Sequence, residues 1–263
     1  MSFAPIIPFG GYAGWSFLQR TLPAQKHAFE AAPVLKNDTE YFTENIAKVK
    51  TADDLVGDYR LLKVALGAFG LDDDIGNRAF IKKVLAEGSL DDKSFANRMA
   101  DKSYLALTKA FGFDLGTPNT QLSDFAEGIV ESYNTRQFEI AVGEQDGDMR
   151  LALALERDLD KIVTSDNTPN GKWYAVLGDK SLLTVFQTAL NIPKDTSALD
   201  LDKQVEYLRD RASAVFGSSE IDQFADPDRF EELNRMFLVR SQINQISSGM
   251  SSGAIALTLL QAI

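Results

Sequence analysis

The stretch LVGDYRLLKVALGAFGL, Leu55 to Leu71, decides the reading of the fold. Leu55, Tyr59, Leu62, Leu66 and Phe69 are spaced 4, 3, 4 and 3, which is one face of an α-helix. Leu61, Val64, Ala65 and Ala68 form a second apolar strip, so the helix should lie between neighbours rather than on a surface. Gly70 stands where a left-handed cap would end it, and Asp72, Asp73 and Asp74 follow as a polar turn.

A related stretch, LGDKSLLTVFQTALNI, runs from Leu177 to Ile192. A shift of 121 positions puts Gly57 on Gly178, Asp58 on Asp179, Leu61 and Leu62 on Leu182 and Leu183, Val64 on Val185, Ala68 on Ala189, and Leu71 on Ile192. Asn191 replaces Gly70, and Pro193 follows; Asn is the usual substitute for Gly at such a cap. The expectation is two pseudo-repeated helical halves, with Leu62 and Leu183 both in the core.

Further helices read outward from these two. Asn37 or Asp38 should cap a helix carrying Phe42, Ile46 and Val49. Asp53 should open the first repeat helix, and Ala79 to Leu85 is a short amphipathic helix ended by Gly88. Two helices should meet near Asp101. Ser123 should cap a long helix through Phe125, Ile129, Tyr133, Gln137 and Ile140. Asp146-Gly147-Asp148 makes a corner before a helix on Ala152, Leu155, Leu159 and Ile162. Asp226-Pro227 starts the last long helix, on Phe230, Leu233, Phe237 and Ile243. No stretch alternates with period two, so the fold class is all-α and multi-helical. The expected organisation is an apolar N-terminal arm over 1–38, broken at Pro23, then a first helical half over 39–164. A linker over 165–171, a second half over 172–246 and a tail over 247–263 follow.

The chain of 263 residues carries a net charge of −11, which disfavours non-specific nucleic-acid and anionic-membrane binding. It contains no cysteine, which excludes disulfides, thiolate metal sites and thiol catalysis, and its one histidine is His27. The acids and bases avoid the ends: residues 1–19 and 241–263 hold none. Pro5, Pro8, Gly10 and Gly11 interrupt any apolar run of signal-peptide type, and AIALTLLQAI is about half the length of a membrane span. The expectation is therefore no Sec signal peptide, no membrane insertion, and a cytoplasmic or flagellum-associated chain. Ile243, Ile246, Met250, Gly253, Leu257 and Leu260 repeat at 3, 4, 3, 4 and 3, a heptad seam flanked by Ser, Gln and Asn. Ile243, Ile246, Met250, Leu257 and Leu260 are the candidate interaction residues. A second copy of the chain, or its own N-terminal Phe3, Ile6, Ile7, Phe9, Trp15 and Leu18, should cover them.

Catalytic readings are weaker. Gly249-Met250-Ser251-Ser252-Gly253 matches G-x-S-x-G, but a helix precedes it and the His lies far upstream. Asp72–Asp74 and Glu144–Asp148 fail the calcium-loop pattern and read as solvated turns. Asp200 with Asp202, or Glu231 with Glu232, are pairs that 38 acidic residues make inevitable. Arg136, Glu139, Glu144 and Arg150 read as a structural ion-pair corner. No catalytic residue, cofactor or metal ligand is assigned.

Five motifs carry a family resemblance: DYRLLKVALGAFGL at Asp58–Leu71, AFIKKVL at Ala79–Leu85, TRQFEIAVGEQDGDMRLAL at Thr135–Leu153, LRDRA at Leu208–Ala212 and FADPD at Phe224–Asp228. Together they span most of residues 50–240. They resemble the alphaproteobacterial family known as domain of unknown function twelve-seventeen. That resemblance implies a place in flagellar gene clusters and no activity. The expected function is a non-enzymatic, flagellum-associated structural or assembly protein, with flagellar components or further copies of itself as partners. A wall-cleaving glycosidase or a ligand-binding helical domain are the alternatives.

Overall fold

The computed structural model describes residues 3–249, with the side chains of Lys194 and of residues 247–249 left aside. The described chain is all-α, with no strand. In order come α1 (Gly11–Glu30), α2 (Pro33–Asn45), α3 (Ala52–Gly57), α4 (Tyr59–Phe69), α5 (Arg78–Glu87), α6 (Phe95–Arg98), α7 (Ser103–Phe111), α8 (Phe125–Gly143), α9 (Gly147–Val163), α10 (Pro169–Gly178), α11 (Lys180–Ala189), α12 (Leu201–Phe216) and α13 (Pro227–Gly249). Short 3-10 turns join several of them.

The chain forms two compact units. One comprises the residues up to Ile6 with Thr21–Ala141; the other comprises Ile7–Arg20 and the described chain from Val142 onward. The change of unit falls inside α8, and the 165–171 stretch expected as the linker lies within the second unit. Its residues are used locally. Thr168 caps α10 by accepting from Gly171 N at 3.1 Å, and Pro169 takes the first helical position.

The Leu55–Leu71 stretch is two helices. At Asp58 the backbone turns extended (φ −104°, ψ 110°), and its N–H bonds Leu55 O to end α3. The Asp58 carboxylate then accepts from Arg60 N at 2.9 Å and Leu61 N at 3.2 Å, capping α4. The true start of α3 is a capping box between Thr51 and Asp54. The second stretch is built the same way. Asp179 (φ −104°, ψ 112°) closes α10 and accepts from Ser181 N at 2.8 Å and Leu182 N at 2.9 Å to open α11. Both helices end as expected on left-handed residues, Gly70 at φ 73° and Asn191 at φ 52°. Leu71 N then bonds Leu66 O at 3.0 Å, and Ile192 N bonds Gln187 O at 2.8 Å.

In the first unit α4 packs on α2, α3 and α7, and α5 on α3, α6 and α7. Leu62, Val64, Ala65 and Leu66 are fully buried there with Phe42, Leu85, Leu107 and Phe111. Gly67 matters because a Cβ on it would stand 2.6 Å from the buried Tyr133 ring, so α4 and Tyr133 are in backbone-close contact. In the second unit α11 packs on α9, α10 and α13, around edge-to-face contacts Trp173–Phe186, Phe186–Phe224 and Phe224–Phe216. Arg240 donates to Ala189 O and Arg211 to Leu190 O at 2.8 Å, satisfying the open carbonyls at the end of α11.

Several expectations are corrected. Helix α1 runs through Pro23; one lost backbone bond, costing about 3 kcal/mol, is outweighed by burial of Trp15, Leu18 and Gln25 on the same helix. The segment before it is pinned rather than loose: the buried Gln25 accepts from Ile6 N at 2.7 Å and donates to Ile6 O at 3.1 Å. Helix α2 starts at Pro33, four residues before Asn37, because Pro suits the first turn; Asp38 instead pairs with Lys63 at 2.6 Å. In the second stretch Leu182 is buried, whereas Leu183 is only half-buried and lines a cleft with Leu177, Ile192, Tyr207 and Leu208.

Leu62→Ala should therefore cost about 2–5 kcal/mol in urea denaturation, and Leu183→Ala only about 1 kcal/mol. Gly67→Ala should destabilise by about 1–3 kcal/mol through the Tyr133 contact. Asp58→Ala and Asp179→Ala should each cost about 0.5–2 kcal/mol as lost caps. Burial opposes the Asp58 charge, but hydrogen bonds from Tyr41, Leu61 and Arg60, with the Arg60 charge, hold its pKa below the ordinary value. Asp158 is lowered likewise: burial opposes its charge, and Arg157 and Lys161 outweigh it. Each unfolded carboxyl titrates near about 3.9. These groups therefore contribute their full stability above that pH and lose it as the pH falls through the depressed folded values. Asp58→Asn keeps the capping oxygen and should flatten the acid limb of a stability–pH curve; an unaltered limb would show that Asp58 contributes nothing to it.

Candidate interaction site

Helix α13 begins at an Asp226 cap, whose carboxylate accepts from Asp228 N at 2.9 Å, with Pro227 in the first turn. Its first half is core: Leu233, Phe237 and Leu238 are buried against α9 and α11. The last tethers are polar. Ser241 Oγ and Gln245 Nε2 both donate to Asp148 Oδ2 at the start of α9, the second at 2.7 Å. Asp148 itself sits in the first turn that Asp146 caps, through Asp148 N at 2.9 Å and Met149 N at 3.1 Å. Beyond Arg240 the helix carries no acidic or basic residue, and its surface opens: Ile243 is 56% exposed and Ile246 58%.

The start of α1 lies against this end. Gly11 has φ 63°, which favours glycine, and a Cβ there would stand 2.2 Å from Gln242 Oε1, so the two segments are in close contact. Tyr12 Oη donates to Glu231 Oε1 at 3.0 Å, and that bond, with burial and the nearby charge, raises the phenol pKa. Phe9, two residues before Gly11, is 62% exposed. Exposed apolar side chains thus sit on two segments that touch, with the carboxylates of Asp148 and Glu231 bonded to the same segments. Trp15 and Leu18, expected to help cover the seam, are core residues instead, because α1 turns that face inward. Met250, Leu257 and Leu260 lie outside the described residues, as does the G-x-S-x-G stretch beyond Gly249.

The other candidates resolve into local structural uses. His27 is exposed in the last turn of α1. Asp74 accepts from Tyr104 and Asn77, and Asp72 accepts from Gln137 at 2.7 Å. Asp202 accepts from Tyr174, and Glu232 pairs with Arg229. Of the charged corner, Arg136 lies over Gly70 in the first unit, while Arg150 lies over Gly143 in the second; Glu139 is buried. Sequence reasoning missed Gln25 and the Asp148 tether. Both are single polar residues whose partners lie far along the chain, so no local pattern marks them.

A cleft lined by Leu177, Leu183, Gln187 and Tyr207 has room of about 10 Å³, enough for roughly one water. Among the described residues no group of three or more His, Asp or Glu is placed to hold a metal ion, and no helix is long and apolar enough to cross a membrane.

The chain is similar over 92% of its length to a protein from Agrobacterium tumefaciens of known crystal structure. The two are 27% identical, the match takes in 99% of that protein, and the TM-score is 0.73. No curated protein matches. The family described as "Protein of unknown function (DUF1217)" matches residues 68–230. That span includes the end of α4, both Asp179-centred helices and the Asp226–Pro227 start of α13, and the chain belongs to this family.

Proposed function

We propose that the chain is a non-enzymatic structural or assembly protein that works by binding protein partners through the end of α13, and that it is associated with the flagellum. The carrying observation is the exposed pair Ile243 and Ile246 on a helix end whose own residues carry no charge. Leaving such surface in water is unfavourable by about 25 cal/mol per Å² of apolar area, so a partner that covers it gains affinity there. The flagellar assignment is supported by the resemblance carried by Asp58–Leu71 and Thr135–Leu153, which implies flagellar gene clusters. The matched corners at Asp58 and Asp179 support a duplicated helical plan as its scaffold.

Deletion of the gene should abolish motility, with altered basal bodies in electron micrographs. The full chain should restore swimming, and the chain cut after Ile246 should fail to restore it while keeping its helical circular dichroism. Normal swimming and normal basal bodies in the deletion strain would sink the flagellar reading.

A further inference from the structure

We propose that Gln25 and Thr21 of α1 form a docking site for an extended, proline-led segment, and that copies of this chain join by exchanging the segment that fills it, Pro5–Ile6. The proposal makes no use of the end of α13, so each reading can fail without the other.

The clamp comes first. Gln25 is buried, and its amide is fully engaged. Nε2 donates to Thr21 Oγ1 at 2.8 Å, one turn back on α1, which fixes the way the amide faces. The second hydrogen of Nε2 goes to Ile6 O at 3.1 Å, and Oε1 accepts from Ile6 N at 2.7 Å. A side chain that takes both the donor and the acceptor of one residue reads backbone, as a neighbouring strand does. The Ile6 side chain is exposed, so the site does not select it. The residue before it, Pro5, is buried and is the part selected.

The segment comes second. Residues 3–8 belong to no helix. Ala4 and Ile7 each precede a proline, which disfavours the helical backbone and favours the extended one that the clamp needs. An arm extended in advance gives up little freedom on docking. Residues 1–19 hold no acidic or basic side chain, so the arm meets a second copy of a −11 chain without like-charge repulsion.

The tether selects the second copy. Gln25 stands fourteen residues beyond Gly11, where α1 begins, which is about 21 Å of helix. The five residues from Ile6 to Gly11 reach at most about 18 Å when fully extended. Helical side chains lean back toward the helix start, and that lean of Gln25 closes the gap with little slack. A short connection drawn tight favours exchange of a segment between identical chains, because the same bonds form in the partner while the connection relaxes. Another protein would have to carry a segment of the same kind, whereas every second copy carries the one already seen to fit.

The test separates arm from site in two full-length variants. Pro5→Asp with Ile6→Pro spoils the arm, since proline has no N–H to offer Gln25, and leaves the site open. Gln25→Leu spoils the site and leaves the arm intact. Both should keep the helical circular dichroism of the parent. In sedimentation equilibrium each variant alone should stay at the single-chain 29.0 kDa, and an equimolar mixture should rise toward twice that mass. A mixture that stays at single-chain mass overturns the exchange, as does either variant pairing by itself as strongly as the mixture. A second measurement leaves Gln25 in place. By fluorescence anisotropy, a labelled peptide of residues 1–9 should bind the arm-spoiled variant about tenfold more tightly than the parent, whose own arm competes at roughly millimolar effective concentration. The same peptide with Ile6→Pro should not bind. No binding to the variant, or equal binding of the two peptides, overturns the clamp. Specific peptide binding by the variant without pairing in the mixture overturns the second copy as its occupant.

Discussion

The first N–H groups of a helix have no partner within it, and at two bends of this chain one carboxylate supplies it. At Asp58 the backbone N–H ends α3 while the side chain starts α4. At Asp179 the same atoms end α10 and start α11. Each bend turns an apolar stretch that could have been one helix into two, so that its two faces reach different neighbours. α3 packs on α5 and α10 on α12, while α4 reaches α2 and α7, and α11 reaches α9 and α13. The burial of Leu62, Leu66, Val185 and Phe186 follows from that redirection.

The acidity of the chain has the same origin. Many carboxylates are acceptors for groups that helix geometry leaves open: Asp54, Asp58, Asp146, Asp179 and Asp226 bond backbone N–H groups at helix starts. Asp74, Asp202 and Glu231 accept from tyrosines, and Asp148 holds the last turns of α13. The cations do the complementary work at helix ends, where Arg211, Arg240 and Lys172 donate to the carbonyls of Leu190, Ala189 and Val163. Neighbouring acids such as Asp200 and Asp202 therefore need no catalytic explanation.

Periodic and capping signals carried most of the fold. Gly70, Asn191, Gly88 and Asp226-Pro227 act locally, through backbone angles and first-turn N–H groups, so their roles follow from the neighbouring residues alone. The bends at Asp58 and Asp179 escaped because the apolar stripe continues across them, and a stripe records burial rather than backbone continuity. Pro23 misled in the opposite direction: a proline costs a fixed amount locally, and burial of Trp15, Leu18 and Gln25 outweighs it only once the chain is folded. Leu183 misled because its identity matches Leu62 while its surroundings do not. Gln187, Thr196 and Gln204 line the cleft with it, whereas Leu62 belongs to a wholly apolar cluster that includes Leu66.

The candidate site was readable as composition rather than as geometry. A stretch with no charge and a repeated apolar residue says that surface must be covered, but not by what. The structure adds where burial along the described part of α13 stops. Asp148 is the boundary: its single carboxylate oxygen holds both Ser241 and Gln245, and the isoleucines between and beyond those two residues turn outward. A polar tether at that point fixes the direction in which α13 leaves the unit without burying its apolar face. The Asp148 bonds, with the Arg240 bond to Ala189 O just before them along the helix, hold this end of α13, so that a partner covering the isoleucines would meet a helix already in place.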